Sequence, residues 1–238
     1  MPKMTGEWLS RLADFVLPRC CCICGQRLGI EEEDVCTSCL LALPYTAFMQ
    51  KPYDNEMAQL FWGRVTHMEK AAALIFYQHT SVRNMLFDLK YRHRPDVGEW
   101  LGRLAAREMA RTGFAEDVDC IVPMPLAPGR ERERGYNQCE VLGKAMGSAL
   151  GIPVVTNAVR RTAFSESQTA KERWQRFENV KGAFVLKRPE RIAGRHVLLV
   201  DDVVTTGATM CACAAQLDGV ADTRISMFSV AFVHGRTQ

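Results

Sequence analysis

The stretch VLLVDDVVTTGAT, residues 197–209, limits the possible folds more than any other part of the chain. Four apolar residues in succession suit a strand covered on both faces, as in the middle of a parallel sheet flanked by helices. Two adjacent acids follow, and neighbouring carboxylates repel one another and are costly to bury. They need a metal, a cation or sugar hydroxyls beside them. The next residues, Thr205, Thr206, Gly207, Ala208 and Thr209, read as a turn entering a helix. The free N–H groups and positive dipole end of such a helix suit a phosphate, the threonine hydroxyls add donors, and Gly207 allows close approach. Acids for hydroxyls beside a cradle for one phosphate describe a ribose 5-phosphate pocket. The other common phosphate loops, G-x-x-x-x-G-K-[ST] and G-x-G-x-x-G, do not occur.

The rest of the chain supplies a frame for this strand. Strands are expected at 71–78, 120–126, 183–187 (an edge strand), 196–202 and 224–233. Helices are expected at 7–17, 81–92, 96–112, 137–151 and 207–219, with 165–180 a polar helix or mobile loop. Alternation of this kind predicts an α/β fold, a mostly parallel sheet with helices on both faces whose ligands collect at the carboxyl ends of the strands. The apolar fraction of 47% supports a large core, and no apolar run approaches the ~18 residues of a bilayer span, so no membrane insertion is expected. The first 18 residues carry Glu7 and Asp14 and lack a small-residue cleavage site, which argues against a signal peptide and for the cytoplasm. A formal charge of +3 is too small to demand a nucleic-acid partner and permits a locally basic phosphate site.

Six of the ten cysteines fall between positions 20 and 39. Cys21 and Cys24 form one C-x-x-C and Cys36 and Cys39 another, a spacing that can place four thiolates tetrahedrally around Zn²⁺. Four protein ligands leave no open position, so the metal is expected to be structural. The neighbours Cys20 and Cys22 leave the register of the first pair open. This module is expected to occupy residues 1–45, with the sheet domain in 46–238.

Two segments are rich in arginine. In VPMPLAPGRERERGYNQ (122–138), expected to be a loop after the second strand, Arg130, Arg132 and Arg134 alternate with glutamates; RRTAFSESQTAKERWQRFEN (160–179) adds Arg160, Arg161, Lys171, Arg173 and Arg176. Guanidinium forks suit diphosphate oxygens.

Residues 197–209 resemble the phosphoribosyl pyrophosphate (PRPP) motif of type I phosphoribosyltransferases at every position. The resemblance implies that Asp201 and Asp202 hold the ribose hydroxyls, that Val203, Val204, Thr205, Thr206, Gly207, Ala208 and Thr209 hold the 5-phosphate, and that Mg²⁺ accompanies the diphosphate. The order of cysteine knuckles, V-P-x-P-L, R-x-R-G-Y-N-Q, R-x-x-x-Q-x-x-x-x-R, A-F and the PRPP loop resembles the ComF, or GntX-like, family of competence proteins over nearly the whole chain. Lys90 and Tyr91 match a further pattern of that family. By position, the resemblance implies that Lys90, Arg130, Arg134, Asn137, Gln138, Gln168, Arg173 and Arg176 border the phosphate site. It also implies a role in handling incoming single-stranded DNA beside a helicase-like ATPase. The acidic stretch GIEEED between the knuckles departs from the family pattern and argues against the metal module itself gripping DNA.

Two functions remain open at this level. One is a transferase in which PRPP loses diphosphate to a nitrogen nucleophile, with Asp201 and Asp202 at the reacting ribose; the residues after Thr209 show no set to read a nucleobase, His234 being a lone candidate. The other is a PRPP or nucleotide-binding protein acting in DNA uptake, with Trp8, Trp62, Trp100 and Trp174 as possible stacking residues. Most of these are expected to be packing residues, with Trp174, inside the basic segment, the one candidate for exposure.

Overall fold

The structure, a computed structural model, describes residues 18–162 and 182–234. The expected helix at 7–17 and the segment 165–180, with Gln168, Arg173, Arg176, Trp8 and Trp174, lie outside the described residues. The chain falls into two compact units that part between Leu43 and Pro44.

The first unit is built on tight turns. Cys20 pairs with Arg27 in an antiparallel bridge, and the turn between closes through Gly25 N–H to Cys21 O at 2.9 Å, with Gly25 in the left-handed region at φ +74°. Glu32, from the acidic stretch, turns back on its own loop at the surface: its carboxylate accepts from Gly29 N–H (2.7 Å), Thr37 N–H (2.6 Å) and Thr37 Oγ1 (2.9 Å). These donors hold its carboxyl below the usual glutamate range. Thr37–Leu41 form a short helix, α1. The departure noted in the sequence is thus a brace for the second cysteine pair.

The second unit runs through α2 (Glu56–Gln59), β1 (Met68–Phe76), α3 (Thr80–Tyr91), α4 (Pro95–Thr112), β2 (Cys120–Pro123), α5 (Pro128–Arg134), α6 (Gln138–Leu150), β3 (Val159–Arg161), β4 (Phe184–Leu186), β5 (His196–Val204), α7 (Ala208–Leu217) and β6 (Arg224–Phe232). Its main sheet has the order β1-β6-β5-β2, every neighbouring pair parallel. His196 to Val200 are buried without a break, so both faces of β5 are covered, as four consecutive apolar residues required. The core helices carry conventional stops: α4 starts with Pro95 and ends at Gly113 (φ +71°), and α6 starts at the Asn137 cap and ends at Gly151 (φ +72°).

Three expectations change. Residues 128–134 form α5 rather than a loop. The strand expected over 120–126 stops at Pro123, because Pro125 has no N–H to extend the ladder. The expected edge strand at 183–187 pairs antiparallel with β3 in a separate two-stranded ribbon, while the edge beyond β2 is taken by a parallel bridge from Ile121 to Val154.

Helices α4 and α6 pack against each other at a seam of small residues. A Cβ on Gly102 would lie 2.6 Å from Ala145 Cβ and 2.7 Å from Leu142 O. Alanine is the better helix former by about 1 kcal/mol, yet overpacking costs about 1–3 kcal/mol and one of the clashing atoms is backbone. Gly102→Ala should therefore lower the urea midpoint with the slope unchanged; an equal or higher midpoint would contradict this close approach.

At the amino end of β5, His196 is fully buried between Ser226 Oγ (2.8 Å from Nε2) and the Asp117 main-chain oxygen (2.9 Å from Nδ1). The Asp117–His196–Ser226 order looks catalytic, but Ser226 is 0% exposed and no substrate can reach it. This cluster ties β5 to β6.

Candidate functional site

β5 extends through Val204, two residues past the expected end at 202, so Asp201 and Asp202 lie inside the strand rather than at its last two positions. Each still has a polar environment. Asp202, buried, accepts from Lys90 Nζ at 2.9 Å and from Gln138 Nε2 at 2.8 Å. Asp201 accepts through Oδ1 from the Asp202 N–H at 2.8 Å and from the Cys139 thiol at 3.4 Å. Burial first, then the charge of Asp202, pushes the Asp201 carboxyl up to about 7. Burial would lower Lys90, but the Asp202 carboxylate outweighs it and the ammonium is held above its ordinary value. Burial and both acids raise Cys139, which stays a thiol and a donor. The strand thus reaches its acids through one ammonium, one amide and one thiol, supplied by α3 and α6.

Beyond the acids, Thr205 and Thr206 are exposed and Gly207 turns the chain into α7 at φ +70° with no side-chain cap on the helix. The loop is held from beneath. A Cβ on Gly207 would meet Phe61 Cε1 at 2.9 Å, and Arg64 Nη1 donates to Thr206 O at 3.3 Å. Uncapped first-turn N–H groups and the helix dipole face the space in front of the loop, an environment that favours an anion.

That space is a cleft of ≈ 210 Å³ bounded by Asp201 to Met210, by Met124 to Leu126 after β2, and by Lys90, Arg130, Arg134, Gln138, Cys139 and Arg161. The helix over 128–134 explains the arginine pattern. Arg130 and Arg134 are four residues apart and share the face toward the cleft; Arg132, two residues out of step, is exposed and bonds Pro128 O at 3.3 Å. Arg134 is buried, donates to Gln138 Oε1 at 2.8 Å and so continues the chain Arg134–Gln138–Asp202. Asn137 does not line the cleft. It caps α6 by accepting from Cys139 N–H at 3.0 Å and donates to Met124 O at 3.1 Å, joining the loop after β2 to the helix. Among the described residues no buried side-chain nitrogen or oxygen lacks a partner.

Arg161 and Cys139 line the cleft although the sequence gives neither a role there. Arg161 is one of several basic residues in the arginine-rich segment 160–179; in the structure it ends β3, its guanidinium 5.4 Å from the Phe184 ring centroid. Cys139 carried no signal beyond following Gln138 at the start of a helix. Of the tryptophans described, Trp100 is buried, whereas Trp62 is 51% exposed, contrary to the expectation that it packs inside. His234 is exposed and contacts Glu56 Oε2 at 2.5 Å.

In the first unit, the sulfurs of Cys21, Cys24, Cys36 and Cys39 all lie within 4.8 Å of one another, with Cys24 and Cys36 3.7 Å apart. Metal–thiolate bonds of about 2.3 Å in a tetrahedron put sulfurs about 3.8 Å apart, so this is a four-cysteine candidate metal site. The register is Cys21, because alternation along the backbone turns Cys20 the other way, its thiol 3.4 Å from Pro18 O. Burial pushes Cys21 up, but N–H donors at Cys36, Cys24 and Ile23 prevail and bring it down to about 7. Burial and the crowded neighbouring thiols raise Cys39.

A parallel sheet whose central strand carries paired acids near its carboxyl end and runs into a threonine-glycine loop, with arginines across the cleft, defines a phosphoribosyltransferase-like protein. A family model described as phosphoribosyl transferase domain matches residues 137–235. DNA utilization protein YhgH of Escherichia coli O157:H7 is 30% identical over 226 residues, spanning 91% of this chain and 87% of its own. Competence protein F of Haemophilus influenzae is 37% identical over 108 residues (45% of this chain, 47% of its own). Competence protein ComFC of Bacillus subtilis is 29% identical over 90 residues (38% and 34%). The chain belongs to the ComF family. No described helix is long and apolar enough to cross a membrane.

Proposed function

We propose that the protein binds PRPP or a related nucleotide in the cleft above β5 and acts in DNA uptake, handling incoming single-stranded DNA in the cytoplasm. The observation that carries this reading is the pairing of Asp201 and Asp202 with an uncapped helix start across from Arg130 and Arg134. In this assignment Thr205, Thr206 and Thr209 take the 5-phosphate, the acids take the ribose hydroxyls, and the arginines take diphosphate. The resident partners of both acids argue that Mg²⁺ is carried in on the ligand's diphosphate. Zinc suits the four-thiolate site and would hold the first unit together. The DNA role draws on the names of the YhgH and competence relatives, and the helicase-like partner on the family resemblance.

Calorimetry with PRPP and Mg²⁺ should give saturable binding, and affinity for single-stranded DNA should fall steeply as salt rises, as displaced counterions require. Absence of PRPP binding would overturn the cleft assignment; absence of DNA binding at low salt would remove the DNA role. Incubation with a panel of nucleobases tests the alternative, since release of diphosphate with one of them would make the protein a transferase.

A further inference from the structure

Next to the cleft lies a second hollow, ≈ 360 Å³, whose lining includes Thr80, Arg83, Asn84, Phe87, Lys90 and Tyr91 of α3. Arg83, Phe87 and Tyr91 recur every four residues and form one stripe along the helix. Two large rings stand in water there: Phe87 is 50% and Tyr91 55% exposed, their centroids 4.9 Å apart and their planes tilted by 41°. Cations surround them. The Arg134 guanidinium lies 5.0 Å from the Tyr91 centroid, and that of Arg92 lies 5.8 Å from Phe87. The acid of this helix, Asp88, is paired with Arg92 at 3.3 Å.

The hollow adjoins the cleft, and two residues link them. Lys90 lines both, and Arg134 holds Gln138 on the cleft side while its guanidinium covers Tyr91 on the other. We propose that Phe87 and Tyr91 are a stacking platform for the base of a nucleotide whose sugar and phosphate occupy the cleft, an inference that rests on the phosphoribosyl reading above. Exposed rings offer π-faces to any base, Asn84 and Thr80 offer donors and acceptors to its edge, and the net positive surroundings suit a phosphorylated ligand. The nucleotide is either free or one residue of a single strand.

The test compares wild type, Phe87→Ala and Phe87→Tyr against three probes: PRPP, thymidine 5′-monophosphate and a twelve-residue oligothymidylate. Phe87→Ala should leave PRPP affinity unchanged and weaken a base-bearing probe by about 5- to 150-fold, the range found for loss of one stacking ring. Phe87→Tyr, which keeps the ring, should restore it. A loss with the monophosphate identifies a free nucleotide as the ligand, and a loss confined to the oligomer identifies a strand. If Phe87→Ala binds both base-bearing probes as wild type does while PRPP still binds, the platform is refuted and the cleft stands. If wild type ignores PRPP, the cleft reading itself fails.

Discussion

Removing the metal from the four-cysteine site should unfold residues 18–43 and leave the sheet domain folded. The reason is the poverty of that unit's own core. Its buried apolar residues among those described are Leu28, Val35 and Leu43, together with two of the ligands, Cys21 and Cys36, and α1 buries none of its residues. Structural zinc contributes about 10–16 kcal/mol of apparent binding free energy in small modules, more than such a core can replace. On treatment with a strong chelator, amide exchange should become fast throughout 18–43 as about one zinc per chain is released, with β5 and β6 still protected. Cys24→Ser should have the same signature without chelator. Persistent protection of 18–43 in a zinc-free sample would show that the thiols pack without a metal.

The second large effect belongs to the phosphate cup. Thr206 is exposed and Thr209 half-buried, and among the described residues these hydroxyls are engaged only by a long bond from Ala208 N–H to Thr206 Oγ1 at 3.5 Å. Replacing both with the near-isosteric valine therefore costs the fold little. Each hydroxyl bonded to a charged phosphate contributes about 1.5–3 kcal/mol, so the double substitution should weaken PRPP binding by about 10²- to 10⁴-fold at unchanged thermal stability. Unchanged affinity would place the phosphate elsewhere.

Much of this architecture could be read before any coordinates. The buried strand, its two acids and the glycine turn were legible because apolar succession, paired carboxylates and a helix start each carry a distinct physical demand. Helices α3, α4 and α6 were legible from apolar spacing, and α6 also from its stop at Gly151. Other parts left no such trace. Helix α5 is seven residues of PGRERER with no apolar face, so alternating charge hid a helix that Pro128 starts and Gly135 ends at φ +77°. The strand at 183–187 was legible as β4, but its antiparallel partner β3 is three residues long, too few for a period to show. The choice of Cys21 over Cys20 or Cys22 depends on which way a bridge turns its side chains, and Asn137 looks like a ligand-facing residue until its cap and its bond to Met124 O are seen. Cys139 was invisible because only the crossing of α6 over β5 brings its thiol to Asp201.

The partners already seated on the two acids bear on which sugars the cleft can tell apart. Sites that reject a molecule lacking a hydroxyl do so because the absent group strands a buried donor or acceptor. Here Lys90 and Gln138 remain on Asp202, and the Cys139 thiol and a peptide N–H remain on Asp201, whether or not a sugar arrives. A deoxyribose therefore forfeits a contact without stranding anything, and the preference for RNA-type over DNA-type sugars should be shallow.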